Sequence, residues 1–141
     1  MGSSQPHHNA PERKLVETGK TRLCVTGFKY CPPAGRSRRL VDCIVKNHPD
    51  KYEKWYYIDS GSCYYHFLDV TFKDKTFPEH LKGHATSPFN WIETNVDGNT
   101  HYEFIGPNTA LIEWASKEFK DDKEIMEICS VGTHSIKDAF Y

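Results

Sequence analysis

The stretch GFKYCPPAGRSRR, Gly27 to Arg39, decides how the chain is read. Upstream of it, RLCVTGF (Arg22–Phe28) is a short apolar, β-branched run with the character of a buried strand. Downstream, from Ala34 to about Asn47, Leu40, Val41, Ile44 and Val45 mark one apolar stripe at helical spacing, and Ser37 extends it. Pro32 and Pro33 stand between the two runs. Proline is tolerated where a helix opens, because its missing N–H has no intrahelical partner to lose. His48-Pro49 ends the helix, since a residue before proline is driven out of the helical region. The junction therefore reads strand, turn, helix, with Cys31 in the turn. A C-x-x-C pair at such a place signals thiol redox chemistry. Here the position three after Cys31 is Ala34.

Working outward, KWYYID (Lys54–Asp59) predicts a second strand, because aromatic and β-branched side chains suit a pleated surface. From Gly61 to Gly83, Tyr65, Leu68 and Phe72 have helical spacing, while Thr71, Thr76 and Pro78 interrupt it. A broken helix with a loop is expected there, and Cys63, after Gly61-Ser62, is placed in the loop. SPFNWIETNVDGNTHYEFIG (Ser87–Gly106) predicts a hairpin turning at Asp97-Gly98. Asn108 or Thr109 is the expected cap of a last helix whose stripe is Leu111, Ile112, Ala115 and Phe119. Ile125, Met126, Ile128 and Cys129 either extend that helix or start another. A strand–helix–strand unit followed by a hairpin and a helix predicts an α/β fold: a mixed four-stranded sheet flanked by helices on both faces. Residues 1–21, polar and carrying Pro6 and Pro11, are expected to be a flexible tail; residues 22–129 form the domain and 130–141 a C-terminal extension.

Composition narrows the function. With 141 residues the chain suits one domain with a real core. Its 18 basic residues against 19 acidic ones leave no basic footprint, so a nucleic-acid partner is not expected. No apolar run approaches the ~20 residues of a membrane span. The first residues lack the apolar segment of a secretory signal, and Pro6 stands where a myristoylation signal wants serine or threonine. The expectation is a cytoplasmic protein whose five cysteines, irregularly spaced, stay reduced.

Cys31 just before a helix N-terminus sits where unpaired N–H groups and the helix dipole favour an anion. Lys29, Arg36, Arg38 and Arg39 add positive charge nearby in sequence, while the two prolines remove donors from the helix mouth. Cys43 is some nine residues along the helix from Ala34, about 13 Å at the helical rise and beyond disulfide reach of that position. Cys24 reads as core, and Cys43 and Cys129 as helical. No cysteine spacing suggests zinc, and His80 with His84 would share a face only if a helix ran through Gly83. The aromatic run WYYIDSGSCYYHF (Trp55–Phe67) divides between core packing and an exposed patch suited to a protein interface.

The order of elements, with YCPPA (Tyr30–Ala34), TSPFNW (Thr86–Trp91) and FIGPN (Phe104–Asn108), resembles the glutaredoxin branch of the thioredoxin fold over roughly Arg22 to Phe119. Within that branch, VTGFKYCPPAGRSRRLVDCIVKNHPD, SPFNWIE and FIGPNTALIEWASKEF are similar to the glutaredoxin-like N-terminal segment of malate-dehydrogenase-like proteins associated with cilia and sperm. No G-x-G-x-x-G is present, so no dinucleotide site is expected.

The resemblance implies a groove with Cys31 as candidate nucleophile and Ser87-Pro88 opposite it as a substrate shelf. Lys29, Tyr30, Gly106, Asn108 and Thr109 would complete a glutathione face. Ala34 excludes a dithiol cycle within the motif, Pro107 replaces the second glycine of the family's pair, and the family's acidic residue at the next helix start has no counterpart. Two readings follow. One is a binding or scaffold module with protein partners in a larger assembly, ciliary or flagellar (axonemal) by the narrower likeness, and with no cofactor. The other is a monothiol oxidoreductase that uses glutathione. A peptide-binding adaptor that pairs a strand at the shelf is a third.

Overall fold

The computed structural model describes residues 10–84, 86–130 and 136–141. Strand β1 (Thr21–Phe28) leads through Lys29-Tyr30-Cys31 into helix α1 (Pro32–Asn47). The two prolines occupy the first helical positions, and Cys31 is the residue that caps the helix, without a side-chain cap bond. Strand β2 (Tyr52–Asp59) follows and pairs parallel with β1, from Thr21 opposite Tyr52 to Phe28 opposite Asp59. Helix α2 (Gly61–Thr71) then opens behind Ser60, whose Oγ accepts from the Cys63 backbone N–H at 3.4 Å. Cys63 thus lies in the first turn of α2 rather than in a loop. Gly61-Ser62 has the composition of a break, but Ser60 supplies a cap that lets the helix start at once.

The helix stops at Thr71, and a single 3₁₀ turn at Glu79–Leu81 follows. Strands β3 (Phe89–Val96) and β4 (Asn99–Gly106) form the expected hairpin, turning at Asp97 (φ 53°) and Gly98 (φ 83°). Two consecutive left-handed residues make the turn whose twist matches paired strands. Helix α3 (Asn108–Glu118) and a separate helix α4 (Lys123–Ser130) complete the domain. Asp122 Oδ1 accepts from the Ile125 N–H at 3.1 Å, which marks the start of α4. The sheet order is β2-β1-β3-β4, with one parallel and two antiparallel pairs, flanked by helices. No helix among the described residues is long and apolar enough to cross a membrane.

Because strand side chains alternate, the sheet has two chemically different faces. Leu23 and Val25 of β1, Ile92 and Ile105 pack with Leu40, Val41 and Ile44 of α1 and Leu111, Ala115 and Ile125 of α3 and α4. The opposite face carries Trp55, Tyr57, Phe89 and Trp91, covered by Tyr64 and Phe67 of α2 and by Phe72 and Leu81.

The described residues near both ends of the chain pack on the domain. Arg13 lies over the rings of Trp55 (5.2 Å) and Trp91 (5.9 Å) and pairs with Glu93 Oε2 at 2.7 Å. Val16 is buried, and its carbonyl accepts from Asn95 Nδ2 at 3.0 Å. The described part of the expected flexible tail, residues 10–20, is therefore an ordered strap on the aromatic face; residues 1–9 lie outside the described residues. The physical reason is Glu93, buried at 1% exposure with one oxygen held by Arg22 (3.1 Å) and the other by Trp91 Nε1 (2.7 Å) and Arg13. A buried carboxylate needs cationic partners, and Arg13 supplies the second. At the other end, a 3₁₀ helix (Ile136–Phe140) packs on α1, with Asp138 accepting from Arg39 Nε at 3.1 Å and the Tyr141 hydroxyl donating to Asp42 at 2.6 Å.

Candidate functional site

The site is assembled where β1 ends. Tyr30 takes a left-handed conformation (φ 58°), which turns the chain sharply between strand and helix and leaves its ring 72% exposed. The turn presents Cys31, half-buried, at the mouth of α1. Ser87 comes from the segment ahead of β3, the strand that pairs antiparallel with β1. Its Oγ is 3.4 Å from Cys31 Sγ, and its carbonyl oxygen is 3.8 Å from the same sulfur. The same Oγ accepts from the Phe28 N–H at 2.8 Å, so the hydroxyl ties the end of β1 to the thiol. The Ser87–Pro88 peptide bond is cis.

Gly27 makes this approach possible. A Cβ there would come within 2.5 Å of Ser87 Oγ and 3.3 Å of Pro88 Cα. Sequence reasoning gives Gly27 no role, although a glycine inside an otherwise apolar strand is the usual sign that another backbone comes close. The segment is held from behind by Tyr64, whose hydroxyl donates to the Thr86 carbonyl at 2.7 Å. Burial pushes the Tyr64 phenol above its ordinary value, with smaller contributions from Tyr65 and Cys31.

Three of the four charges expected around Cys31 have partners of their own. Lys29 Nζ is 3.9 Å from Asp59, whose carboxyl is held below its ordinary value first by the Ser60 N–H, against a desolvation cost, and then by Tyr57 and Lys29. Arg36 is buried and donates to the Ile128 carbonyl at 3.1 Å, and Arg39 pairs with Asp138. Helical periodicity turns Arg36 and Arg39 toward α4 and the C-terminal segment, a direction that proximity in sequence does not reveal. Ala34, in the place of a second cysteine, is fully buried.

The residues expected to complete the glutathione face divide. Cys31, Ser87 and Pro88 are brought together, with Lys29 and Tyr30 beside them in the turn. Gly106 ends β4, and Asn108 and Thr109 open α3. Gly106 (φ 114°) is buried under Leu81, where a Cβ would meet Leu81 Cδ2 at 2.7 Å. Asn108 corrects the expected helix cap. It is the first residue of α3, behind Pro107, and caps nothing; its side chain is buried and donates to Ser37 Oγ on α1 at 2.9 Å. Thr109 is exposed and likewise is not the cap.

No protein-family model matches this chain, and no curated protein is significantly similar to it.

The remaining candidates resolve into structure. Burial raises the Cys24 thiol well above its ordinary value and pushes Cys43 up to about 11, so both are core groups. All five cysteines are free. Among the described residues no cluster of ligating side chains suits a metal, and His80 in the 3₁₀ turn shares no helix with His84. The aromatic run Trp55–Phe67 is chiefly core: Trp55, Tyr57, Tyr64 and Phe67 are buried, and the Tyr56 hydroxyl donates to Asp42 at 2.7 Å. Of its large side chains only Tyr65 is substantially exposed. What sequence reasoning missed is the C-terminal segment. Phe140 lies 6.1 Å from Tyr30 between ring centroids, and Phe140 and Tyr141 join Lys29, Tyr30 and Arg38 around a cleft of about 340 Å³. Its one sequence signal is Gly35, where a Cβ would overlap the Asp138 carbonyl.

Proposed function

We propose that the chain is a glutaredoxin-type member of the thioredoxin fold that acts as a non-dithiol binding or scaffold module in a larger assembly, with protein partners. The sheet order β2-β1-β3-β4, the thiol at the mouth of α1 and Ser87-Pro88 set against it support the fold reading. The observation that carries the functional reading is the half-built site: the floor under Cys31 is complete, while Ala34 has no sulfur and Asn108 points into the core. A partner would contact the exposed rim formed by Tyr30 and Phe140. The sequence likeness to the segment found in cilia- and sperm-associated proteins makes an axonemal assembly in the cytoplasm the setting to test first.

A second reading rests on the half-exposed Cys31 thiol beside Ser87. As a monothiol enzyme, the Cys31 thiolate would attack the glutathione sulfur of a mixed disulfide, form a Cys31–glutathione disulfide and release the other thiol. A second glutathione thiolate would then attack that bond, restore Cys31 and leave oxidised glutathione. The residues at the start of α3 fit glutathione poorly, since Asn108 is turned away and no acidic side chain takes its place.

The two readings separate in one assay. The purified protein is given a glutathione mixed disulfide with reduced glutathione in excess. The scaffold reading expects no turnover above the uncatalysed rate and a Cys31→Ser variant that still recovers the same partners by affinity capture from ciliated cells. Enzyme-like turnover abolished by Cys31→Ser would replace it with the monothiol reading.

A further inference from the structure

A second groove lies on the aromatic face, away from the cleft beside Tyr30. It runs between α2 and the 72–84 segment, with a volume of about 730 Å³, and is open along its length. Its floor is the half-buried Phe77, backed by the buried Phe72 and Phe89: the three rings pack with centroids 5.4–6.0 Å apart, and Phe77 and Phe89 are stacked within 15° of parallel. Leu68 and the exposed Tyr65 form one wall. Its rim is basic. Lys73, Lys75 and Lys82 line it against a single lining carboxylate, Asp69, on a chain whose formal net charge is −1. Lys75 Nζ stands 4.7 Å over the Tyr102 ring, and Lys82 reaches Glu79 at 3.6 Å, so both ammonium groups are held at the rim while staying wet.

Flat apolar floor and excess positive rim define complementary chemistry: an apolar or aromatic group with carboxylates on either side. The size falls within the range of sites that take a compact ligand or a few side chains. Openness decides between the sources of that chemistry. An acyl chain laid in an open groove keeps one side in water, whereas a peptide sets alternate side chains on the floor and leaves its polar backbone in solvent. We propose that this groove is a docking site for an acidic peptide segment, with phenylalanine or leucine side chains on Tyr65, Leu68 and Phe77 and flanking carboxylates on Lys73, Lys75 and Lys82. The site is independent of the Cys31 groove.

The test uses a fluorescein-labelled octapeptide of alternating glutamate and phenylalanine, titrated by anisotropy with the full chain. A lysine–phenylalanine peptide of equal length serves as control. Saturable binding of the acidic peptide is expected, weakened about tenfold or more in a Lys73→Glu/Lys75→Glu/Lys82→Glu variant. The affinity should also fall as salt rises toward about 0.5 M, since the rim charges are exposed. These lysines are on the surface, so the variant folds, and near-identical circular dichroism verifies it. Equal binding of the basic peptide, or unchanged affinity in the variant, overturns the proposal. Stoichiometric displacement by dodecanoate at lower concentration than competing peptide also overturns it in favour of a lipid carboxylate. Loss of binding in Cys31→Ser places the peptide in the thiol groove and overturns it as well, whereas unchanged binding there supports it whatever the mixed-disulfide assay returns.

Discussion

The two faces of the sheet solve the same problem with different materials. One is covered by α1, α3 and α4 and is filled with leucine, isoleucine and valine; the other has, among the described residues, α2 as its one α-helix and is filled with tryptophan, tyrosine and phenylalanine. Three helices bring enough aliphatic side chains to close a layer. With one 11-residue helix, coverage has to come from side-chain size, from the 72–84 loop and from the N-terminal strap. The difference locates the groove between α2 and the 72–84 segment. Rings under a loop leave a groove and an exposed edge, whereas the aliphatic layer is closed over by helices. The polar site at Cys31 stands where β1 feeds α1 on the aliphatic side, while Tyr64 braces its Ser87 flank from the aromatic side.

If the aromatic layer depends on ring size, Trp91→Ala has the largest effect. It removes the ring that packs on Trp55, Phe67, Phe72 and Phe89 and the indole N–H that Glu93 accepts from. A loss of about 3–5 kcal/mol is expected in denaturant unfolding. A loss under about 1.5 kcal/mol would show that the loop closes over the gap and that the layer is not held by its rings.

Arg13→Ala comes next, at about 1–3 kcal/mol, because Glu93 keeps Arg22 but loses its second cationic partner. Arg13→Ala/Glu93→Gln, with the charge gone from both sides, should recover part of that. Additive losses would mean the strap is held by Val16 and the rings alone.

On the aliphatic side, Gly35→Ala is expected to expel the C-terminal 3₁₀ helix, since the added methyl overlaps the Asp138 carbonyl. A cost of about 1–3 kcal/mol is expected. The same substitution in a chain ending before residue 136 should cost close to nothing. An equal cost in the shortened chain would place the strain within α1 instead.

The smallest effect is a pH dependence. Burial works to raise the Asp42 carboxyl, but hydrogen bonds from Lys54, Tyr141 and Tyr56 outweigh it and leave it below its ordinary 3.8. A group depressed in the folded state stabilises above its unfolded value and loses that contribution as pH falls through the folded one. Docking of Tyr141 should therefore hold at neutral pH and weaken below about pH 4. Wild type and Asp42→Asn, compared by hydrogen exchange of the C-terminal residues, should differ at pH 6 and draw together as pH falls below about 4. A constant difference across that range would sink the linkage.

Much of the backbone path is legible in the sequence, and for local reasons. Paired prolines after Cys31 start a helix, His48-Pro49 ends it, and Asp97-Gly98 turns a hairpin, because each of these residues restricts or frees its own dihedrals. The candidate site is legible only in part. Cys31 and Ser87 meet as the motif order implies, while Asn108 turns inward to Ser37, Arg36 and Arg39 face away, and Phe140 enters from a segment that carries no motif. Side-chain direction on a helix depends on what packs against each face, and that partner sits tens of residues away.

The amino-acid sequence by itself determined the order of elements, their turns and the absence of a second thiol at Ala34, since these are properties of single residues and short spacings. Only the tertiary structure decided that residues 10–20 are a strap, that the last residues lie on Gly35, and that the Asn108 side chain turns inward to α1. Each of these rests on a contact between segments far apart in the chain: Arg13 with Glu93, Asp138 with Arg39, Asn108 with Ser37. Such contacts exist because a buried charge or amide must find a partner wherever the fold brings one, and no local pattern records which one it will be.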